Sequence, residues 1–208
     1  MTVEEVNKLT GIPIKELNRL NRDLWYHGTS LDGAENIRDE GVDAFYNVGN
    51  MLDFGAGFYL TDTRERAENY ISRVPVITAD GKVEKRKEWS VVEFNLNPFE
   101  LLFAEGIPSR YKYLNFPKHN EVFARFAFDN RLNNVDNEKP HGIDIIWGVM
   151  SDNFPDQIVY QYKDGELSYE EAIGKLQKPN SMKQLYIGNQ EICDMLEVTN
   201  VFEGVAQD

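Results

Sequence analysis

The sequence predicts an α+β protein whose sheet is mixed or antiparallel. Short strand-like runs are scattered among helical segments, without the regular strand–helix alternation of a doubly wound sheet. The glycine pattern at 55–57 precedes its predicted strand, whereas a dinucleotide-binding fingerprint follows one. The 208 residues fit one domain, with or without a small extension, and 41% of them are hydrophobic, which allows a sizeable core.

Residues 1–22 are predicted to be helical and to form an extension of a main domain at 23–208. Thr2 and Glu5 have the spacing of a capping box, and Gly11–Pro13 separates two apolar stripes. This spacing of apolar residues is typical of a helix-turn-helix, but DNA binding also needs a third helix and a basic recognition face. The pattern therefore favours a short extension that packs on the main domain or docks a partner.

Apolar patterning predicts the elements of the main domain. Alternating or continuous apolar runs predict strands at 24–27, 57–61, 90–96, 142–148 and 181–188. Apolar residues at helical spacing predict helices at 31–40, up to 71, and at 119–132, 153–162, 168–177 and 190–196. The expected N-caps are Ser30, Thr61 or Thr63, and Asn189, and Gly41 is expected to end the first of these helices.

Two polar segments are predicted to be irregular. Residues 43–54 have the composition of a loop, and residues 78–88 that of a hairpin loop on a solvated surface. Basic side chains cluster in the second segment, so contact with an acidic target is the alternative interpretation there.

The balance of charge restricts the possible partners. The formal net charge is −13, with 35 acidic residues against 22 basic ones. A chain of this charge repels phosphate backbones, which disfavours non-specific nucleic-acid binding. A basic partner or a neutral ligand is easier to accommodate, and a charged dinucleotide needs a local positive pocket.

Cysteine content and hydropathy favour a cytoplasmic location. Cys193 is the sole cysteine, so an internal disulfide is impossible. It lies in a predicted helix rich in apolar positions, which favours a packed thiol over a nucleophile. The sequence predicts neither a signal peptide nor a membrane span.

Two short stretches combine small residues with one large polar ring where the chain is expected to turn. They are Tyr26–Ser30, which contains His27, and Gly55–Thr63, which contains Tyr59. An imidazole can hydrogen-bond a sugar hydroxyl, a phenol ring can stack on a base, and glycine lets amide groups approach a ligand. The two stretches together favour a slot for a flat, ribose-bearing ligand, although each ring alone is explained as well by packing.

Three blocks in order carry a resemblance to a known superfamily. They are Leu24–Ser30, then Gly55–Asp62 with Ala67 and Tyr70 behind it, and then Lys183–Ile187. These blocks resemble the ADP-ribosyltransferases, in the branch of diphtheria toxin and the poly-ADP-ribose polymerases, over roughly residues 24–198. The likeness is strongest to a bacterial family of unknown function within that superfamily, on the further segments 53–61, 142–152 and 184–188. The resemblance implies a split β-sandwich of two mostly antiparallel sheets with flanking helices.

The resemblance also implies a reaction and a role for each motif residue. The reaction breaks the N-glycosidic bond between nicotinamide and ribose in NAD, which is a co-substrate, and no metal is implied. His27 is expected to hydrogen-bond the adenosine ribose, the main chain of Gly28 to hold the nicotinamide amide, and Thr29 to bond a ribose hydroxyl. Tyr59 is expected to stack on the nicotinamide, and Tyr70 to close its other face.

Gln184 stands at the third catalytic position, where the superfamily more often has glutamate. A carboxamide can still accept a hydrogen bond from a ribose hydroxyl, but it is uncharged and cannot take a proton. This departure favours single transfers over chain elongation. Glu191 is the rival for the catalytic carboxylate, although a solvated glutamate at a helix N-terminus is the simpler interpretation.

The function that the resemblance implies is a toxin-like bacterial mono-ADP-ribosyltransferase with a macromolecular acceptor and a small antitoxin-like partner. An NAD glycohydrolase, in which water is the acceptor, and a non-catalytic module that binds NAD or ADP-ribose stay open as alternatives. An RNA 2′-phosphotransferase is disfavoured by the acidic charge. The sequence does not distinguish an amino-acid side chain, a nucleotide and a nucleic-acid base as the acceptor.

Overall fold

Helices and strands follow one another irregularly along the chain. The computed structural model describes residues 1–133, 135–137, 141–151 and 154–206. The helices are α1 (Val3–Thr10), α2 (Ile14–Leu20), α3 (Leu31–Glu40), α4 (Arg64–Ile71), α5 (Pro98–Phe103), α6 (Glu121–Asn133), α7 (Pro155–Lys163), α8 (Tyr169–Leu176) and α9 (Gln190–Cys193). The strands are β1 (Leu24–Thr29), β2 (Phe58–Leu60), β3 (Val76–Ile77), β4 (Val83–Glu84), β5 (Glu88–Asn95), β6 (Tyr113–Phe116), β7 (Ile145–Val149), β8 (Lys183–Ile187) and β9 (Glu197–Val205).

The larger sheets of the described chain are mostly antiparallel. Sheet A has the strand order β1-β5-β9 and is antiparallel throughout. Sheet B has the order β2-β8-β7-β6, in which only β6 and β7 run parallel. The short strands β3 and β4 form a separate hairpin, in which β3 directly precedes the predicted polar segment at 78–88 and β4 lies inside it. The predicted α+β class is confirmed.

The main hydrophobic core connects the two sheets. Trp25 of β1, Phe94 of β5, Trp147 of β7 and Leu185 of β8 are all fully buried in it. The two tryptophan rings pack edge to face with their centroids 5.7 Å apart. Because burying one large apolar side chain contributes about 1.5–3 kcal/mol, these contacts hold the sheets together.

The opposite face of sheet B carries a second core, which lies under α6. Tyr186 of β8 and Ile146 of β7 pack there against Phe54, which precedes β2, and Phe123 of α6. Both faces of sheet B are therefore buried. Polar side chains on its strands consequently need hydrogen-bond partners inside the protein.

The N-terminal helices pack into the main core. Leu17 and Leu20 of α2 are fully buried among its residues. The Glu16 carboxylate, only 6% exposed, accepts a hydrogen bond from Trp147 Nε1 at 2.8 Å and one from Lys183 Nζ at 2.5 Å. Burial lowers the pKa of Lys183, and the Glu16 carboxylate opposes this effect. A buried ion pair therefore connects α2 to the first residue of β8.

Most predicted elements are present near their predicted positions. The capping box of Thr2 and Glu5 is formed. The side-chain oxygens of Ser30, Thr63 and Asn189 cap α3, α4 and α9, so Thr63 rather than Thr61 caps the second of these helices. The predicted helix at 153–162 begins at Pro155; Asp152 and Asn153 lie outside the described residues.

The end of the chain differs from the prediction. The predicted helix at 190–196 ends at Cys193, and the unpredicted strand β9 follows and pairs with β5. Its residues are largely exposed, because β9 is an edge strand of sheet A, so it lacks the apolar alternation that identifies a half-buried strand. The short elements α5 and β6 were not predicted either.

Cys193 is 1% exposed, which confirms the predicted packed thiol, and burial raises its pKa to about 12. Across the described ranges, no helix has both the length and the apolar character needed to span a membrane.

Candidate functional site

Strands β1 and β2 meet at a single bridge and then separate. Tyr26 and Thr61 exchange main-chain hydrogen bonds of 3.0 and 2.8 Å. A continued antiparallel ladder would next pair Gly28 with Tyr59. Instead, the His27 imidazole and the Tyr59 carbonyl oxygen form a hydrogen bond of 2.8 Å through Nδ1. The side chain of His27 thus takes the carbonyl that the ladder would have used, and a gap opens between the strands.

The main chain of Gly28 is left with a free donor and a free acceptor at this gap. The N–H and C=O groups of Tyr26 point towards β2, and those of Gly28, two residues further along the strand, point to the same side. Within the described residues they have no main-chain partner on that side. An adjacent N–H and C=O pair is complementary to a primary carboxamide, which also carries one acceptor and a donor group.

Glycine at position 28 also sets the distance of α4 from β1. A Cβ atom there would lie 2.6 Å from the Ala67 carbonyl oxygen and 2.8 Å from Ile71 Cβ, closer than such atoms can approach. The absence of a side chain lets α4 lie against the strand. Tyr70, the residue before Ile71 on the same helix, is 47% exposed.

The His27 ring is held as a neutral hydrogen-bond acceptor. Burial lowers the pKa of His27, and the hydrogen bond to the Tyr59 carbonyl acts in the opposite direction. Since a carbonyl oxygen only accepts, Nδ1 carries the ring proton, and Nε2 keeps its lone pair. Nε2 has no hydrogen-bond partner in the described part of the chain. The ring packs on Phe58 at a centroid distance of 4.5 Å.

Tyr59 is fixed at its hydroxyl end by the loop before β2. The hydroxyl donates to the Gly55 carbonyl oxygen at 2.7 Å and accepts from the Phe54 N–H at 3.2 Å. Burial raises the pKa of Tyr59 well above its usual range, so the ring stays a neutral phenol. The Tyr59 ring packs edge to face on Tyr186, with centroids 5.4 Å apart.

The glycines at 55 and 57 have structural roles in the turn before β2. Gly55 adopts a left-handed conformation, with φ of 74°, which other residues rarely take. A side chain at Gly57 would collide with the ring of Tyr186. The turn and its packing therefore require glycine at both positions.

Gln184 is buried on the face of sheet B that also carries Tyr59 and Tyr186. Alternate residues of a strand share a face, and Tyr59 lies opposite Tyr186 in the β2–β8 register. Gln184 is 5% exposed, and its Nε2 donates to Asp53 Oδ2 at 3.2 Å. Its Oε1 has no hydrogen-bond partner among the described residues.

Asp53 is the centre of a buried polar cluster. Its carboxylate is 3% exposed and accepts from Arg131 Nε at 2.9 Å, from the Ser151 N–H at 2.8 Å and from the Ser151 hydroxyl. Arg131 also donates to the Met51 carbonyl oxygen and to Asp156, each at 2.5 Å. These contacts tie the loop that leads into Gly55 to α6 and to the segment after β7.

The sequence interpretation missed the other members of the cluster around Asp53. Arg131, Ser151 and Asp156 come from α6, the end of β7 and α7, so no local spacing connects them to the loop. One signal was present: Arg131 continues the buried stripe of α6 that contains Ala127 and Phe128. An arginine in an apolar stripe needs a buried acidic partner.

The structure brings together the residues of the first two motifs and connects them to Gln184. His27 contacts Tyr59 directly, while Gln184 contacts Asp53, whose neighbour Phe54 binds the Tyr59 hydroxyl. Thr29 ends β1 on the far side of Gly28 and is half-buried.

Glu191 is separate from this group. It is exposed and forms an ion pair with Arg110, beyond the other end of β8 from Gln184. The side chain of the neighbouring Gln190 binds the main chain of Val42 and Ala44. Within the part of the chain that the structure describes, the hydrogen bonds and ion pair of Glu191 go to Asn189 and Arg110 and not to the residues around the gap.

The two remaining histidines bind main-chain carbonyl groups. His119 Nε2 bonds to Met150, and His141 Nε2 bonds to Phe54. The described residues contain no group of three or more His, Cys, Asp or Glu side chains placed to hold a metal ion.

The fold and the gap define an α+β protein with a polar site where β1 and β2 separate. Residues 26–198 match the family described as "Protein of unknown function (DUF3990)", and the chain belongs to that family. The comparisons with curated proteins and with solved structures found no match.

Replacing Gly28 by Ala is expected to lower the free energy of unfolding by about 1–3 kcal/mol, because α4 must move away from the new methyl group. Denaturant unfolding measures this change. Gly174→Ala is the matched control: that glycine lies in α8 with open space around it, so alanine there should stabilise the protein by about 0.5–1 kcal/mol. Equal stability of the Gly28 variant and the wild type would contradict the close packing of α4 on β1.

Proposed function

We propose that this protein is an NAD-dependent mono-ADP-ribosyltransferase that releases nicotinamide and transfers ADP-ribose to a macromolecular acceptor. The observation that supports this most is the gap between β1 and β2, with the free N–H and C=O of Gly28 on one side and Tyr59 on the other. In the proposal the nicotinamide carboxamide pairs with Gly28, and its ring stacks on Tyr59. Tyr70 of α4, the helix that packs on Gly28, is exposed, and in the proposal it covers the other face of the nicotinamide.

The neutral imidazole supports a role in ribose binding. His27 Nε2 is a free acceptor, and in the proposal it accepts a hydrogen bond from a hydroxyl of the adenosine ribose. Thr29, two residues along β1, supplies a second hydroxyl contact. The hydrogen bond from Nδ1 to the Tyr59 carbonyl fixes both the orientation and the tautomer of the ring.

In the proposed reaction the bond between the ribose C1′ and the nicotinamide nitrogen breaks. Nicotinamide leaves as a neutral molecule with the bonding electrons, and the ribose becomes an oxocarbenium ion. The acceptor nucleophile attacks C1′ from the opposite face and loses its proton. The protein contributes by holding both halves of NAD in a fixed geometry. It also places a preorganised hydrogen-bond-accepting oxygen of its own near the developing positive charge.

Gln184 is the third group of the proposed site. Its Oε1 accepts a hydrogen bond from the nicotinamide ribose and places a partial negative charge near the developing cation. A carboxamide takes up no proton, so the proton of the acceptor passes to another group or to water. This chemistry fits a single transfer.

The toxin-like role and the small antitoxin-like partner belong to the proposal through the resemblance alone, and the cytoplasmic site of action through the cysteine content and hydropathy of the sequence. An NAD glycohydrolase and a non-catalytic NAD or ADP-ribose module are the alternatives that the activity measurement below separates.

The protein is expected to release nicotinamide from NAD, and His27→Ala and Tyr59→Ala are each expected to lower the rate about 100-fold by misplacing the substrate. The release of nicotinamide is measured by chromatography. The transfer of ADP-ribose is followed with NAD that is labelled in the adenosine portion, with cell lysate as the source of acceptor. Digestion with protease or nuclease then shows which macromolecule holds the label. His119→Ala is the matched control, because that histidine contacts Met150 away from the gap.

Unchanged rates in the His27 and Tyr59 variants would contradict the assigned roles. Release of nicotinamide without labelled macromolecules would identify a glycohydrolase. NAD binding without any release would identify a non-catalytic module.

The affinity for NAD is expected to depend on pH through His27. Burial holds the pKa of His27 below the usual value of about 6.5, so the ring stays neutral and accepts at pH 7 to 8. Below that lowered pKa, Nε2 gains a proton and can no longer accept, and the affinity falls. Calorimetric titration with NAD between pH 5 and 8 measures this loss. A loss of affinity for NAD that is centred above pH 7 would contradict the role assigned to His27. The same pH dependence in His27→Ala would contradict it as well.

A further inference from the structure

We propose that Asp53 is a positioning residue that fixes the orientation of the Gln184 carboxamide. The inference rests on the proposed function, because it concerns the third group of the same site. It explains why this chain has glutamine at a position where the resembling enzymes more often have glutamate.

The carboxylate of Asp53 is held in place by groups other than Gln184. Three hydrogen bonds, from Arg131 Nε and from the N–H and hydroxyl of Ser151, hold its carboxylate. Two further contacts of Arg131, to Met51 and Asp156, keep the guanidinium in place. The carboxylate therefore cannot turn to follow a new neighbour without breaking buried hydrogen bonds.

This fixed carboxylate determines which end of the amide faces it. An ionised carboxylate only accepts hydrogen bonds, so the Gln184 amide must turn its NH₂ group towards Asp53, as it does at 3.2 Å. The oxygen then becomes the end that remains for a ligand. Without Asp53, the two orientations of the amide would differ little in shape, and the flipped one would offer a donor to a developing cation.

The same contact disfavours glutamate at position 184. A carboxylate there would face the Asp53 carboxylate at hydrogen-bonding distance inside the protein. The other ionisable groups around the Asp53 carboxylate are Arg131 of α6, Asp156 of α7, Tyr70 of α4 and Tyr59 of β2. Arg131 is the only cation among these four groups, and both aspartates already share it. A glutamate at this position would therefore retain a proton to a higher pH than a free glutamate does.

A double-mutant cycle tests the pair. In Asp53→Asn the new amide keeps its oxygen on the charged Arg131 Nε, so its NH₂ group takes the place of Oδ2. The Ser151 N–H then loses its acceptor, and the Gln184 carboxamide flips so that its oxygen accepts from the new NH₂ group. The kcat for nicotinamide release is then expected to fall about 100-fold, while KM for NAD changes less than about threefold. In the double variant with Gln184→Glu, the carboxylate accepts from the new amide at position 53 and again offers an oxygen to the ribose. The rate should recover to within about tenfold of the wild type. Asp129→Asn is the matched control, because Asp129 accepts a hydrogen bond from the Tyr169 hydroxyl on the exposed side of α6 and is hydrogen-bonded to neither Arg131 nor Gln184.

Thermal unfolding of the same variants gives a second readout that needs no turnover. In Gln184→Glu, the native state binds a proton more tightly than the unfolded state, so stability is kept at low pH and lost as pH rises. The melting temperature of this variant relative to the wild type should therefore fall between pH 5 and 8. In the double variant the relative melting temperature should not fall with pH, since the amide introduced at position 53 can donate to the ionised carboxylate.

Coupling between the two substitutions in the pH-dependent stability, with recovery of kcat in the double variant, is the expected result. Additive effects at every pH, or a double variant no faster than Asp53→Asn, would overturn the inference. A wild-type protein that releases no nicotinamide would refute the proposed function instead, and the stability cycle would still decide whether Asp53 orients Gln184.

Discussion

The hydrogen bond between His27 Nδ1 and the Tyr59 carbonyl oxygen is the contact on which the site depends. It interrupts the ladder between β1 and β2 directly after the Tyr26–Thr61 bridge, and this keeps sheets A and B apart along the rest of these strands. It also leaves the main chain of Gly28 unpaired and determines which nitrogen of the imidazole carries the proton. One side chain thus creates the gap and supplies one of its polar groups.

The strand that carries Gln184 is fixed from both faces at its start. Successive residues of a strand point to opposite faces, so Lys183 reaches Glu16 of α2 on one side, while Gln184 reaches Asp53 on the other. Two buried polar contacts therefore connect β8 to the N-terminal helices and to the loop before β2. Breaking either contact would leave a polar group buried without its partner, which links these segments to the geometry of the site.

Local sequence patterns identified the residues that line the gap, but they did not identify the residues packed around them. His27, Gly28 and Tyr59 lie in short motifs with strand-like flanks, and the structure places them together. The cluster around Asp53 depends on Arg131, which is distant in the sequence, and it becomes visible only when the chain is folded. The edge strand β9 was missed because an exposed strand has no apolar alternation to reveal it. The ligand-binding roles of all the motif residues, which are His27, Gly28, Thr29, Tyr59, Tyr70 and Gln184, stay predictions. The exposed carboxylate of Glu191 forms an ion pair with Arg110.

A nuclear magnetic resonance titration with nicotinamide tests the central claim most directly, because it follows the main chain of Gly28 without any turnover. If the carboxamide pairs with the free N–H and C=O at the gap, the amide resonance of Gly28 should move in a saturable manner, together with the ring resonances of Tyr59. Binding that leaves both residues unperturbed, or no binding at all, would contradict a nicotinamide site between β1 and β2.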